Sequence, residues 1–177
     1  EEKRFGAARA RNLGLSMAKG RYIAYLDADD RWRADKLELE LDFLKEKDAG
    51  FVFTGYEFGD EKAEGTGKVV HVPETLSYEQ ALANTTIFTS TVMMDTEKIE
   101  KVLMEMPYIK SEDTASWWKI LKTGVTAYGL DENLVIYRRA GKSLSSNKIE
   151  ARRRIWNLYR RAAGLSVLAS AWRFVPW

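Results

Sequence analysis

Asp27, Asp29 and Asp30 crowd three carboxylates into four positions, directly after the apolar run 22–26. Like charges at that spacing repel, and a carboxylate taken out of water unpaired costs several kcal/mol. Two kinds of chemistry fit. The acids can be solvated turn residues, with Asp30 capping a following helix. Alternatively they await a divalent cation, since Mg²⁺ or Mn²⁺ is commonly held by one or two carboxylates together with substrate phosphates. An EF-hand calcium loop does not fit, because neither its glycine nor its closing glutamate is in place. A second acid pair, Glu112 and Asp113, follows Ser111 at a predicted helix start. There it can complement the helix dipole beside a Ser111 cap.

Composition narrows the choice. Cysteine is absent and His71 is the one histidine, so disulfides, thiolate sites, a Ser-His-Asp triad and a multi-histidine zinc site are all disfavoured. Any metal must take oxygen ligands. His71 lies in a predicted strand and carries no functional expectation. The net charge of +2 over 177 residues implies no bulk polyelectrolyte partner, and no nucleic-acid-binding signature is present. No run of about 18 apolar residues offers a membrane span.

The elements that must position these acids follow from hydrophobic periodicity. The Ala-rich stretch 5–18 reads as a helix with Ala10, Leu13, Gly14 and Met17 on one face. Residues 22–26 and 51–58 read as buried strands, separated by a helix marked by Leu37, Leu41 and Leu44. This alternation predicts an α/β sheet with parallel neighbours. Further on come a polar loop over 59–68, a short strand at 69–72 and a capping box at Ser77-x-x-Gln80. A strand over 89–94 and a helix over 96–106 follow. A helix capped by Ser111 carries Trp117 and Trp118, and two more strands, "TAYGL" and "LVIYR", come after it.

From residue 148 onward the chain changes character. Seven Lys or Arg stand against one Glu, interleaved with Ile155, Trp156, Leu158 and Tyr159 and then Leu168, Trp172 and Phe174. The predicted organisation is a domain over 1–147 and a basic amphipathic helical tail over 148–177. The tail can pack on its own domain with its arginines in water. It can also lie on an anionic membrane surface.

Three segments, "GAARARNLGLSMAKGRYIAYLDADDRW", "SEDTASWWKILKTG" and "YRRAGKSLSSNK", occur in an order and spacing that resembles the family 2 inverting glycosyltransferases with the GT-A fold. Within that family they look like the bacterial group that builds teichuronic acid and related surface glycans. The resemblance implies a mixed, mainly parallel Rossmann-like sheet flanked by helices. It also implies a cytoplasmic enzyme, peripheral on the inner membrane face through 148–177, that transfers sugar from a nucleotide-sugar donor to a glycan or lipid-linked acceptor with Mn²⁺ or Mg²⁺. Asp29 would contact the metal, Asp27 the metal or donor ribose, and Asp30 would assist. Arg11, from the "ARN" stretch with Arg9 and Asn12, and Arg138 would meet the donor, with Lys142, Ser143 and Ser145 in a closing loop. Asp113 would be the general base. Glu112, Trp117 and Trp118 would face the acceptor, one tryptophan offering a flat apolar surface. Relatives often carry a histidine where this chain has "RAGK".

The resemblance further implies an earlier β-α-β region that contacts the nucleotide base, which this sequence does not contain. A non-catalytic sugar-nucleotide-binding or assembly module is therefore the rival expectation.

Overall fold

The computed structural model describes residues 6–139 and 148–174. Its two longest strands, of 9 and 12 residues, organise the sheet. Strand β3 (Phe51–Gly59) lies beside β7 (Ala127–Arg138), in parallel. On the other side of β3, β6 (Val92–Asp95) runs antiparallel, and β1 (Tyr22–Ala24) pairs antiparallel with β6. Strand β2 (Arg31–Trp32) completes the order β1-β6-β3-β7-β2, antiparallel to β7. Two short additions, β4 (Gly65–Val70) on β3 and β5 (Thr75–Leu76) on β7, are also antiparallel.

The expected mixed sheet is present, but its parallel character is narrower than expected. Among the described pairings only β3 with β7 is parallel. Strands β1, β3 and β7 still share one direction, because β6 reverses between β1 and β3. Their carboxyl ends therefore face the same way, which is where ligands gather in open α/β sheets.

Alternation along the central strands supplies two cores. Phe51, Phe53, Val92 and Met94 share the larger one with Trp117, Ile120 and Leu121 of helix α5 (Glu112–Leu121). Val52 and Met93 point to the other face, where Leu44 of α2 (Lys36–Glu46) covers them. Helix α2 also buries Lys36 and Glu40, paired at i,i+4, with the ammonium 4.3 Å from the Trp32 ring centroid. Burial lowers the Lys36 pKa and raises that of Glu40, each only partly offset by the other's charge.

Several local expectations change. "TAYGL" and "LVIYR" are one strand. Asp131 and Glu132 form an outward irregularity in β7 rather than a break, and Asp131 accepts from Val72 N–H (3.0 Å) and contacts His71 Nδ1 (3.0 Å). The expected helix over 96–106 is a single turn, α4 (Lys101–Met104). The Met106 backbone that follows is held by the Asn12 side chain, which donates to its carbonyl and accepts from its N–H, both at 2.8 Å. Ser111 takes a left-handed conformation (φ 58°) and makes no side-chain cap. Asp30 does not cap α2 either; Asp35 holds that position, without a side-chain cap bond. The capping box at Ser77 is present, opening α3 (Tyr78–Ala81).

Helix α1 (Ala7–Met17) buries Ala8 and Leu15, while Leu13 and Met17 stay exposed at 60% and 70%. The predicted apolar stripe thus faces outward. Beside it, α1 and the segment 22–28 line an open groove of about 550 Å³ that ends at Arg11 and Asp27.

The tail joins the larger core. Helix α6 (Lys148–Asn157) runs into a π-helical turn (Leu158–Ala162), followed by α7 (Val167–Phe174). Tyr159 is fully buried, stacks on Trp118 at 5.5 Å and 13°, and donates to the Leu82 carbonyl at 2.7 Å.

Candidate active site

The apolar run of β1 delivers the chain into a turn, closed by Asp30 N–H donating to the Asp27 carbonyl at 3.1 Å. Strand β2 then leaves along β7, so the turn lies against the end of β7 and Arg138. Helix α5 brings Glu112 and Asp113 to the same place.

Arg11 joins the two acid groups. Its Nη2 lies 2.6 and 2.8 Å from the Asp27 oxygens and its Nε 3.1 Å from Oδ1, while Nη1 donates to Glu112 Oε1 at 2.9 Å. Burial works against the Arg11 charge, but hydrogen bonds and charges from Asp27, with Asp113 and Glu112 nearby, outweigh it and raise its pKa. Arg11 and Asp27 form a bidentate pair with side chains only 14% and 28% exposed, a geometry that fixes orientation as well as charge.

In the structure the Asp27 carboxylate, expected beside a metal or the donor ribose, is the partner of Arg11. Both of its oxygens are engaged by a guanidinium, whose charge opposes a cation at the same carboxylate. Asp30 is 8% exposed, accepting from Ser90 Oγ at 2.5 Å and from Arg138 N–H at 3.1 Å. Burial pushes its pKa up to about 6; the two donors pull it back, and Asp27 and Asp29 push it further. Asp29 is different: its side chain is 51% exposed and touches Arg138 Nη2 at 3.0 Å. Among the described residues no cluster of three or more acids or histidines is arranged to hold a metal. The donor set fits a cation held by Asp29 with substrate phosphates and water, a common mode for Mg²⁺.

Asp113 is half-buried. One carboxylate oxygen accepts from Thr114 N–H at 2.7 Å, the other from Thr89 Oγ at 3.2 Å. Each oxygen of a carboxylate offers two lone pairs, so capacity remains for a substrate hydroxyl.

Trp117 and Trp118, expected to face the acceptor, are buried in the larger core. They are 1% and 2% exposed; Trp117 packs edge-on against Phe51 and near Tyr25, and Trp118 donates to the Ala81 carbonyl at 3.0 Å. A stacking platform needs an open ring face, and the core has taken both. Lys142, Ser143 and Ser145 lie outside the described residues.

Sequence reasoning missed two contributors. Thr89 and Ser90 contact both acid groups from a 3-10 turn (Thr89–Thr91) that the sequence reads as strand. Phe88, Tyr137, Tyr56 and Phe58 form a half-buried aromatic cluster beside Arg138, with Phe88 and Tyr137 centroids 4.2 Å apart. Burial raises the Tyr137 pKa, and the charge of Asp30 raises it further. No local spacing marks this cluster, because its members come from three separate segments.

Comparison with known proteins identifies relatives of this chain and of its fold. The chain is 43% identical over 177 residues to TuaG of Bacillus subtilis (strain 168), a glycosyltransferase assigned to teichuronic acid biosynthesis, covering 99% of this chain and 69% of that protein. It is 34% identical over 154 residues to WfgD of Escherichia coli, covering 86% of this chain and 59% of the relative. WfgD is a UDP-Glc:α-D-GlcNAc-diphosphoundecaprenol β-1,3-glucosyltransferase. Among solved structures, the mannosyltransferase PcManGT of Pyrobaculum calidifontis, in complex with GDP-Man and Mn²⁺, superposes with a TM-score of 0.64 at 18% identity, over 99% of this chain and 53% of that one. TarS of S. aureus, residues 1–349 with UDP-GlcNAc, gives 0.61 at 16% identity, over 96% and 51%. These two share the GT-A fold, and the chain spans about half the length of each. The profile of glycosyl transferase family 2 matches residues 1–103, and with the relatives above it shows that the chain belongs to that family.

Proposed function

We propose that this chain forms the acceptor-activating part and one wall of the donor site of an inverting glycosyltransferase. That enzyme would move sugar from a nucleoside diphosphate donor to a glycan or lipid-linked acceptor. The observation that carries the reading is the convergence of two acid groups, 27–30 and 112–113, on one guanidinium, Arg11. That convergence supports two acids with separate tasks at one centre.

Asp113 serves as general base. It takes the proton from the acceptor hydroxyl as that oxygen bonds to the anomeric carbon, and the bond from that carbon to the donor phosphate breaks on the opposite face. Asp29 is the residue that would hold Mn²⁺ or Mg²⁺, which when bound would stabilise charge on the departing diphosphate. Arg138, already paired with Asp29, would meet the same phosphates. Arg11 holds the Asp27 and Glu112 side chains in place. The lipid-linked acceptors of relatives such as WfgD support a peripheral membrane contact through the tail.

The test uses the protein at its full encoded length. Asp113→Asn keeps binding of a uridine or deoxythymidine diphosphate sugar with Mn²⁺, measured by calorimetry, and lowers transfer by about a hundredfold or more, the usual scale of general-base loss. Transfer at the wild-type rate would place the base elsewhere. Donor binding without any transfer by the wild-type protein would favour the non-catalytic module.

A further inference from the structure

Thr89 and Ser90 are neighbours in the chain, each fully buried, and their hydroxyls reach different acid groups. Ser90 Oγ accepts from Asp27 N–H at 3.1 Å and donates to Asp30 Oδ2 at 2.5 Å. Its carbonyl accepts from Trp32 Nε1 at 2.7 Å. Thr89 Oγ, one residue earlier, donates to Asp113 Oδ2 at 3.2 Å. Local turn closure falls to Thr91, whose N–H and Oγ both donate to the Phe88 carbonyl, at 3.0 and 2.7 Å. Turn stability therefore does not account for the hydroxyls at 89 and 90. A buried hydroxyl is costly unless bonded, and packing alone would be met by valine and alanine.

The geometry points to Thr89 and Ser90 as positioning residues that set the spacing between the donor-binding turn and the base carboxylate. Ser90 fixes the Asp27–Asp30 turn, and Thr89 orients Asp113. The 3-10 turn is continuous with β6, which is paired on both sides by β1 and β3, so both acid groups are referred to one strand. This inference rests on the proposed function and deepens it, because it divides one turn between two steps of the same reaction.

The division is testable as a split in kinetics. Thr89→Val keeps the shape and removes the donor. It should lower kcat by about ten- to a hundredfold, the loss of one hydrogen bond to a charged group, with the donor KM and the UDP–Mn²⁺ dissociation constant within about threefold of wild type. Thr89→Ser should restore kcat. Ser90→Ala should do the reverse, weakening UDP–Mn²⁺ binding about tenfold in calorimetry while kcat at saturating donor stays within about threefold. Ser90→Cys, similar in size, should recover part of that binding. Wild-type kcat in Thr89→Val overturns the inference, as does equal loss of kcat and binding in both variants or failure of Thr89→Ser to rescue. Asp113→Asn, run alongside, separates the two levels. If it is inactive while Thr89→Val turns over normally, only the positioning role fails; if it is fully active, the base assignment fails and this inference with it.

Discussion

Asp30 sits between a serine hydroxyl and a backbone amide, and its pKa of about 6 lies above the ordinary 3.8 because the site is largely closed to water. A carboxyl that holds its proton more tightly when folded favours the folded state at low pH. That contribution is complete below the unfolded pKa and is lost as pH rises through the folded one. Between pH 4 and 7 it amounts to about 2 kcal/mol. Urea denaturation across this range should therefore give a flatter pH dependence for Asp30→Asn than for wild type; parallel curves would mean that Asp30 titrates normally. At this scale the sequence was legible where charge density is high. The 27–30 and 112–113 acids stand out from their neighbours by charge alone. What it could not convey is that Arg11 commits Asp27, because a salt bridge between a helix and a strand end depends on how far apart the fold sets them. Trp117 and Trp118 were ambiguous for a related reason: aromatic residues beside an acid pair fit a sugar or a core equally well until burial is known, and both are buried.

Strands and helices were legible wherever period and composition agreed. Residues 51–58 became β3, the Ala-rich stretch became α1, and the serine-glutamine capping box opened α3. The reading failed where a tertiary contact overrode local pattern. Strand β7 absorbs Asp131 and Glu132 because the neighbouring loop supplies donors to Asp131, so polar residues that look like a turn remain in a strand. The segment 96–106 has helical composition, yet the Asn12 side chain claims its last backbone groups. Strand β7 also passes under the chain at Pro73, where a Cβ on Gly129 would lie 2.1 Å from the Pro73 carbonyl oxygen. Gly129→Ala must push those backbones apart and should cost about 1–3 kcal/mol, the usual range for overpacking. Chemical denaturation reads this directly, and an unchanged midpoint would mean that the Pro73 loop yields freely.

Across the whole molecule, the described tail, residues 148–174, contributes to the larger core, since Leu158, Tyr159 and Ala163 are buried in it. Its outer side differs. Leu168 and Trp172, four residues apart on α7, are 84% and 83% exposed, and Arg152, Arg153, Arg160 and Arg161 are exposed nearby in sequence. No described helix is long and apolar enough to cross a membrane. Basic residues near an anionic lipid surface contribute about 1 kcal/mol each, and apolar side chains add to this by burial. The protein should therefore float with phosphatidylserine-containing vesicles and not with neutral ones, and Leu168→Ser with Trp172→Ser should reduce the flotation. Equal recovery with both lipids would remove the membrane reading.

The stack of Tyr159 on Trp118 has a mechanical consequence. Trp118 and Asp113 sit on the same helix, five residues and roughly 8 Å of rise apart. Any surface that grips the tail from outside would thereby hold the helix bearing Asp113, the proposed base, at a set height, so anchoring and aiming would be a single act.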